Sequence, residues 1–393
     1  MTVESEYRVM TNGLEGIVAA STRLSEVDGE RGRLTIAGYA VEDLAPRASF
    51  EEVAYLLLHG RLPDATEQRT FAHQLRERRT LPPVIITVLE RAAAAGAPAI
   101  DALRMATPLL SLGHAEEPLN DAIRLIGSFP TIVGTYGRLS RGEPSVPVRA
   151  DLSHAAHYLH QLRGSVPSSE QVRALETYLN TVCDHGLNAS TFTARVIAST
   201  RSDVISAVTG AVGALKGPLH GGAPGPALDM VFEISRADRA EAVIRAKLDR
   251  GERIMGFGHR VYRVRDPRAE VLAQAAERFY SKDGDRNLYE LVRAVEATAL
   301  RLLHAYKPER RIATNVEFYT ALLLHGLGLP TDLFTATFAV GRVAGWSAHC
   351  VEQLREGRLI RPQSEYVGPS GLHYEQQLPN GALTPPASAR AGA

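Results

Sequence analysis

The stretch SFEEVAYLLLHG, residues 49–60, decides the fold class, because its apolar residues recur with the period of an α-helix. Ser49 and Glu52 have the spacing of a capping box, which opens a helix, and Gly60 stands where a helix of this length would end. The apolar residues that share one face are Phe50, Val53, Ala54 and Leu57. The stretch therefore predicts an amphipathic helix that buries one side.

The same pattern recurs along the chain, and it predicts a mainly α protein. Capped or periodic stretches predict further helices from Ser168 to about Asp184, over 285–304 and over 334–354. Alternation typical of a strand is scarce, and residues 33–39 are the best candidate for a short hairpin. The tail 376–393 lacks apolar periodicity and is expected to be disordered.

The overall composition argues against several classes of protein. Lysine plus arginine and aspartate plus glutamate both number 44, so the net charge of zero gives no field that would attract a nucleic acid or an anionic membrane. The two cysteines cannot build a disulfide framework or a zinc ribbon, which suits a reducing compartment such as the cytoplasm. No secretory signal is expected at the start, and no apolar run approaches the ~18 residues of a membrane span. With 393 residues, one large or two ordinary domains are expected.

His220 lies in the glycine- and proline-rich stretch GPLHGGAPGP, residues 217–226. A helix is expected to begin near Pro224 or Pro226, since proline suits the first helical turn. The positive end of that helix would lower the pKa of the imidazole and keep the ring neutral near pH 7. A neutral imidazole N–H can donate to a carbonyl that becomes an enolate. The alternative is a loop histidine without a role.

A second histidine, His259, follows a Gly-x-Gly turn in IMGFGHRVYRVRDPR, residues 254–268. Arg263 and Arg268 could bind two different anionic groups on either side of this histidine. The chain has forty arginines and only four lysines, so an arginine is weaker evidence of anion binding here than usual. A solvated basic loop is the alternative.

Two further residues are candidates for chemistry. Glu317, in the motif NVEFY, stands among apolar residues near a helix start. Burial would raise the pKa of its carboxyl and make it a stronger base, whereas the helix N-terminus would lower that pKa; a helix cap is the alternative role. His185, in CDHGLNAST, stands at a predicted helix end, where capping is again the alternative.

Two histidines on separate glycine turns, together with one carboxylate, suit enolisation and attack on a carbonyl. The chain also resembles the citrate synthase family over nearly its whole length. The segments that carry the resemblance, in the family's order, are STRLSEVDGERGRLTIAGY (21–39), EEVAYLLLHGRLP (51–63), CDHGLNAST (183–191), GPLHGGA (217–223), GFGHRVYRVRDPR (256–268), NVEFY (315–319) and RLIRPQSEY (358–366). The resemblance implies a two-domain helical fold with the active site in the interdomain cleft. The large domain would comprise residues 1–219 and 325–375, and the small domain residues 220–324.

The resemblance implies a Claisen-type condensation of acetyl-CoA with oxaloacetate, followed by hydrolysis of citryl-CoA to citrate and CoA. These two small molecules are substrates, and no metal or other cofactor is expected. His220 matches the histidine that bonds the thioester oxygen of acetyl-CoA. His259 matches the one that polarises and protonates the ketone of oxaloacetate. Glu317 occupies the position of the family's base.

The resemblance also assigns binding residues. The positions that match contacts to oxaloacetate are His185, Arg268 and Arg342. Arg263 matches an arginine near the CoA phosphates. Arg361 matches an arginine that reaches into the partner subunit's site, so a cytoplasmic homodimer is expected.

The motif NVEFY departs from the family's usual NVDFY. A displacement of ~1 Å can lower a rate ~10²-fold, so the backbone at Glu317 is expected to be set back to compensate. Two alternatives stay open. One is a 2-methylcitrate synthase that uses propionyl-CoA, because one methylene in an apolar pocket is worth only ~1–3 kcal/mol. The other is a catalytically weak homologue that binds CoA or a dicarboxylate.

Overall fold

The computed structural model describes residues 12–14, 16–112, 117–221, 224–258, 262, 264–310 and 312–372. The chain divides into two compact units, Met1–Leu359 and Ile360–Ala393. The expected disorder of the tail 376–393 lies outside the described residues. The division of the first unit into a large and a small domain stays a prediction.

Helices dominate the described part of the first unit, and the mainly α class is confirmed. The α-helices there are α1 (Val41–Leu44), α2 (Phe50–His59), α3 (Ala65–Glu77), α4 (Pro83–Ala94), α5 (Ala99–Ala106), α6 (Pro118–Leu139), α7 (His154–Arg163), α8 (Ser169–Val182), α9 (Ala189–Ser199), α10 (Val204–Leu215), α11 (Pro224–Ile234), α12 (Ala240–Asp249), α13 (Pro267–Lys282), α14 (Arg286–Tyr306), α15 (Val316–Gly326) and α16 (Phe334–Glu356). Short 3-10 helices cover Asn12–Leu14, Thr107–Ser111, Ala237–Arg239 and Thr331–Leu333.

The local signals in the sequence act as predicted. Ser49 and Glu52 form the reciprocal capping box of α2, and Gly60 ends the helix in the left-handed conformation at φ +74°. Ser168 and Gln171 form a second capping box at the start of α8. Both predicted helices are therefore confirmed, and so are those at α14 and α16.

The predicted hairpin is part of a small antiparallel sheet. Strand β2 (Arg33–Ile36) pairs with β3 (Tyr39–Ala40), as expected for residues 33–39. On its other side β2 pairs with β1 (Ser25–Asp28), which the sequence did not reveal. The sequence of β1 is SEVD, and one apolar residue in four gives too little alternation to predict a strand.

Helix α16 runs through the core and packs against α2, α6, α8, α9 and α10. Its Trp346 is completely buried. Two glycines of α16 lie against the end of α8 and the turn that follows it. A Cβ atom at Gly345 would come within 2.7 Å of Asp184 Oδ1, and one at Gly341 within 3.0 Å of the Leu179 carbonyl oxygen. The two glycines therefore allow the turn that bears His185 to lie directly on α16.

No helix in the described ranges combines the length and the apolar character that crossing a membrane requires.

Candidate active site

Arg268 lies in the first turn of α13 and is 5% exposed. Its guanidinium donates to both carboxylate oxygens of Asp266, from Nε to Oδ1 at 3.1 Å and from Nη2 to Oδ2 at 2.8 Å. Burial would lower the pKa of Arg268, but the adjacent Asp266 charge outweighs burial and raises it. Asp266 therefore fixes the direction of a permanently charged guanidinium.

Arg342 lies on α16 and is 1% exposed. Its Nε donates to the Val182 carbonyl oxygen at 2.6 Å, and its Cζ lies 4.6 Å from the centroid of the Phe338 ring. Burial lowers the pKa of Arg342 to about 10; the Asp184 charge opposes this, and the Arg268 charge adds to it. The two buried arginines thus act on each other electrostatically, as expected of a site for an anion with two carboxylates.

His185 lies in the turn between α8 and α9. Its Nε2 lies 3.0 Å from Tyr262 Oη, and the two rings meet edge to face with centroids 5.6 Å apart. The Tyr262 ring also faces Arg268, whose Cζ is 5.9 Å from the ring centroid. Tyr262 therefore brings His185 and Arg268 to one side of the site.

Glu317 is the second residue of α15, and its backbone N–H donates to the Asn315 side chain at 3.0 Å. The other end of that side chain, Asn315 Nδ2, donates to the Gly258 carbonyl oxygen at 2.9 Å. Burial raises the pKa of Glu317 to about 7, with Arg268 opposing the rise and Asp266 adding to it. Of the two opposing effects that the sequence suggested, burial prevails, and Glu317 is poised to accept a proton near neutral pH.

His220 contacts Ser190 through its Nε2, which lies 2.7 Å from the Ser190 oxygen. The same oxygen accepts the indole N–H of Trp346 at 3.0 Å and lies 2.8 Å from Asn188 Oδ1. Burial, followed by the charge of Arg342, lowers the pKa of His220 to about 4. The imidazole is therefore neutral, as predicted. Helix α11 begins at Pro224, also as predicted. The cause of the lowered pKa differs from the predicted one, because burial and the charge of Arg342, and not the helix N-terminus, lower the pKa of His220.

His349, whose helical context in the sequence predicts a purely structural histidine, adjoins the turn that bears His185. It is buried on α16, with Nε2 3.2 Å from Asp184 Oδ2 and Nδ1 2.8 Å from Arg195 Nη1. Asp184 immediately precedes His185 in the chain. One signal in the sequence links His349 to the candidate site. Arg342, Trp346 and His349 are spaced four and three residues apart and so share one face of α16.

A cavity of about 780 Å³ lies beside these residues. Tyr262 and Asp266 line it, together with the basic residues Arg253, Lys307 and Arg310 and the acidic residues Glu252 and Glu309. The three cations can pair with phosphates, whereas Glu252 and Glu309 offset part of their charge. Arg253, Lys307 and Arg310 were not among the candidates from the sequence, because they belong to none of the recognised motifs.

The roles of all the predicted site residues stay predictions. His259 and Arg263 lie outside the described residues. Gly258, which precedes His259, is tied to the start of α15 by Asn315 and by a hydrogen bond from its N–H to the Ala313 carbonyl oxygen at 2.8 Å. Arg361 lies in the second unit, in a segment without regular secondary structure, and its side chain is exposed.

Comparison with known proteins shows which family the chain resembles. The family model described as "Citrate synthase, C-terminal domain" matches residues 13–363. Citrate synthase 2 of Bacillus subtilis is 41% identical over 366 residues, which cover 91% of this chain and 96% of that protein. A 2-methylcitrate synthase of Shewanella oneidensis is 39% identical over 363 residues, or 91% of this chain and 95% of that protein.

A solved structure with the same fold is that of citrate synthase from Thermoplasma acidophilum in ternary complex with carboxymethyl coenzyme A and oxaloacetate. It is 31% identical to this chain, with a TM-score of 0.83, and the match covers 93% of this chain and 98% of that one. The similarity therefore extends over both sequence and fold.

Proposed function

Because this chain belongs to the citrate synthase family, we propose that it condenses acetyl-CoA with oxaloacetate and hydrolyses citryl-CoA to citrate and CoA. One observation carries the proposal. Two buried arginines, Arg268 and Arg342, share a site with a carboxyl of raised pKa, Glu317, and a neutral imidazole, His220. This set of groups suits binding of a dicarboxylate and enolisation of a thioester beside it.

Oxaloacetate binds, in this proposal, through its two carboxylates to Arg268 and Arg342, with His185 as a further contact. Each arginine has an aspartate near it, Asp266 for Arg268 and Asp184 for Arg342. Both guanidinium groups are buried, so their attraction for a carboxylate is weakly screened by solvent. The dianion in turn relieves the repulsion between the two arginines.

Enolisation follows when the Glu317 carboxylate removes a proton from the methyl group of acetyl-CoA. His220 donates a hydrogen bond to the thioester oxygen as negative charge develops there. An imidazole whose pKa is about 4 donates as a neutral group, so the intermediate has enol or enolate character. The new carbon–carbon bond forms between this carbon and the ketone carbon of oxaloacetate. His259 protonates the resulting alkoxide, a role that rests on the resemblance alone.

The single hydroxyl proton of Ser190 decides which nitrogen of His220 can donate. When Ser190 donates to Asn188 Oδ1, Nε2 of His220 carries the ring proton and donates to Ser190. When Ser190 donates to Nε2, the ring proton lies on Nδ1 and is available to the thioester. The proposed reaction uses the second arrangement, in which Nδ1 of His220 acts as the donor.

The cavity beside the site takes the CoA part of the substrate in this proposal. Arg253, Lys307 and Arg310 are the candidates to bind its phosphates, together with Arg263. The cavity reaches Tyr262 and Asp266, which contact His185 and Arg268 respectively. A thioester that extends along the cavity would thus reach oxaloacetate. Closure of the proposed two-domain cleft would then exclude bulk water until condensation is complete.

We further propose a cytoplasmic homodimer in which Arg361 of each subunit completes the partner's site. No step of the proposed reaction runs through a metal or another cofactor. The exposed side chain of Arg361 supports this proposal, because an arginine that serves the partner subunit must be accessible on the surface of its own.

Two other functions are distinguishable from this one. Propionyl-CoA as the donor would give 2-methylcitrate, the activity named for the Shewanella relative. A weak binding homologue would explain a glutamate at the base position, but the place of Glu317 beside Arg268, together with its raised pKa of about 7, favours a base. We expect turnover with acetyl-CoA to exceed turnover with propionyl-CoA at saturating oxaloacetate, measured as release of free CoA thiol. A preference for propionyl-CoA would favour the first alternative, and release from neither thioester would favour the second.

A further inference from the structure

We propose that His349 is a positioning residue for oxaloacetate: it holds the Asp184 carboxylate so that Asp184 offsets the charge of Arg342 without pairing with it. The inference rests on the proposed function, because Arg342 is taken as an oxaloacetate-binding residue. It concerns a buried hydrogen-bonded chain that adjoins the site and has no part in the proposed chemical steps.

The tautomer of His349 follows from its neighbours. Arg195 is 2% exposed and can only donate hydrogen bonds, so Nδ1 of His349, 2.8 Å from Arg195 Nη1, must accept one. The ring proton therefore lies on Nε2, and Nε2–H donates to Asp184 Oδ2 at 3.2 Å. The same guanidinium nitrogen of Arg195 also donates to Glu352 Oε2 at 2.6 Å, which keeps Arg195 in place.

Only one of the two carboxylate oxygens of Asp184 is hydrogen-bonded. Its Oδ2 accepts hydrogen bonds from His349 and from the hydroxyl of Ser25, whereas its Oδ1 is buried without any hydrogen-bond partner. A buried, unsatisfied carboxylate oxygen is costly unless a nearby charge stabilises it. One such charge is that of Arg342. Burial raises the pKa of Asp184, but the interaction with His349 and, after it, the charge of Arg342 outweigh burial and hold that pKa below its ordinary value.

Arg342 nevertheless remains unpaired by protein carboxylates. No acidic side chain among the described residues lies within ion-pairing distance of it, and its Nε donates to a backbone carbonyl oxygen. Arg268 differs, because Asp266 forms a two-point ion pair with it. If Asp184 were released, its bare oxygen would be free to pair with Arg342 and to compete with the substrate carboxylate for the same guanidinium.

Two amide substitutions separate the two hydrogen bonds of His349. His349→Asn keeps an acceptor near the place of Nδ1, toward Arg195, but is too short to donate to Asp184. His349→Gln places its amide N–H₂ near the position of Nε2 and keeps that donor. We expect the Asn variant to raise the KM for oxaloacetate roughly tenfold or more, about 1.4 kcal/mol, with the KM for acetyl-CoA nearly unchanged. The Gln variant should stay close to wild type.

The matched control is His157→Asn. His157 is also completely buried, lies on α7 and contacts Thr131 Oγ1 at 3.0 Å through its Nε2. The same truncation there should leave the KM for oxaloacetate unchanged, even if it lowers the melting temperature. Equal effects of His349→Asn and His349→Gln on the KM would overturn the proposal.

A second substitution tests the direction of the effect. Adding Asp184→Asn to His349→Asn removes the charge that would capture Arg342, so the double variant should bind oxaloacetate more tightly than His349→Asn alone. A residue that only supports the fold predicts the opposite, since a second buried substitution would weaken binding further.

A crystal structure of the His349→Asn protein tests the inference without any turnover. We expect a carboxylate oxygen of Asp184 within about 4 Å of the Arg342 guanidinium, the separation of an ion pair. An Asp184 that keeps its wild-type position would overturn the inference. Failure of the wild-type protein to release CoA from acetyl-CoA would instead count against the proposed function, and the structural result would still decide the role of His349.

Discussion

The indole N–H of Trp346 donates to the hydroxyl oxygen of Ser190 at 3.0 Å, and Ser190 in turn contacts Nε2 of His220 at 2.7 Å. A helix at the centre of the core thereby controls the orientation of a histidine on a distant loop. His349, one turn further along the same face of α16, contacts the turn that bears His185 through Asp184. The placement of His220 and of His185 therefore depends on the packing of α16.

The first prediction concerns this contact. Trp346→Phe keeps an aromatic ring in the core but removes the N–H that holds Ser190. We expect kcat to fall roughly 5- to 10-fold, the value of one hydrogen bond of about 1–1.5 kcal/mol, with the KM for oxaloacetate little changed. Steady-state kinetics with each substrate varied in turn measures both quantities.

Tyr158→Phe is the control for that experiment. Tyr158 is fully buried, and its hydroxyl contacts Thr337 Oγ1 on α16 at 2.7 Å. Its loss also removes one buried hydrogen bond from α16, so it should lower stability without a comparable loss of kcat. Equal losses of kcat in the two variants would show that Trp346 acts only through stability.

The second prediction concerns the close approach at Gly345. Gly345→Ala would place a methyl group against the Cys183 carbonyl oxygen and within 2.7 Å of Asp184 Oδ1. We expect a loss of stability of about 1–3 kcal/mol, the range for overpacked cores, and a higher KM for oxaloacetate as the His185 turn shifts. Gly213→Ala on α10 is the control, because its nearest atom would be 3.8 Å away. An unchanged melting temperature in Gly345→Ala would refute the close approach.

The third prediction concerns pH and a carboxyl outside the site. Burial, reinforced by the charge of Glu51, raises the pKa of Glu176 to about 7 from an ordinary value of 4.5. The folded state therefore holds this proton more tightly than the unfolded state, and stability from this group is lost as the pH rises from about 4.5 through 7. Glu176→Gln removes that loss. In thermal unfolding, the melting temperature of the variant relative to wild type should be higher at pH 8 than at pH 5. A relative gain in stability only at pH 5 would contradict the predicted direction.

The fourth prediction concerns the proposed dimer. Arg361→Ala and Glu317→Gln proteins should each be nearly inactive, because each lacks one group in both sites. If Arg361 serves the partner subunit, a mixed dimer contains one site with all its groups and regains activity. Recovery is measured after subunit exchange, with hybrid formation proven by mass. Proven hybrids without activity would place Arg361 in its own subunit's site.

Local sequence signals predicted much of the fold. Capping boxes and periodicity predicted α2 with both its boundaries and α8 with its start, because these signals depend on residues that are close in sequence; α8 ends at Val182, before the predicted end near Asp184. Strand β1 was missed because its pairing with β2, and not its own residues, makes it a strand. The same reason explains why the sequence did not indicate a role for His349, whose partners Asp184 and Arg195 lie more than 150 residues away.

The candidate site shows the same limit. Motifs identified Glu317 and His220 as candidates. The pKa of His220 is lowered, as predicted, whereas for Glu317 the sequence suggested two opposing effects, of which burial prevails. The cause differed for His220, because burial and Arg342 lower its pKa. Such effects depend on how the chain packs, so the sequence allowed the charge state to be predicted but not its origin.

The fifth prediction concerns the base. Glu317→Asp keeps a carboxylate but withdraws it by about one bond, and we expect a loss in kcat of ~10-fold or more. Glu317→Gln removes the base and should lower kcat by ~10²–10⁴-fold, while oxaloacetate binding survives. In the wild type, kcat/KM should rise with pH through about 7, as Glu317 loses its proton. A helix-cap role predicts the reverse order, with Asp at least as good as Glu and only a mild effect of Gln.

The central claim is that Glu317 takes the methyl proton of acetyl-CoA, and exchange of those protons with solvent deuterium tests it most directly. The mixture contains an oxaloacetate analogue that cannot condense, so the proton-transfer step is observed alone. We expect exchange in the wild-type protein, slower exchange in Glu317→Asp and almost none in Glu317→Gln. Exchange at the wild-type rate in Glu317→Gln would show that the base lies elsewhere.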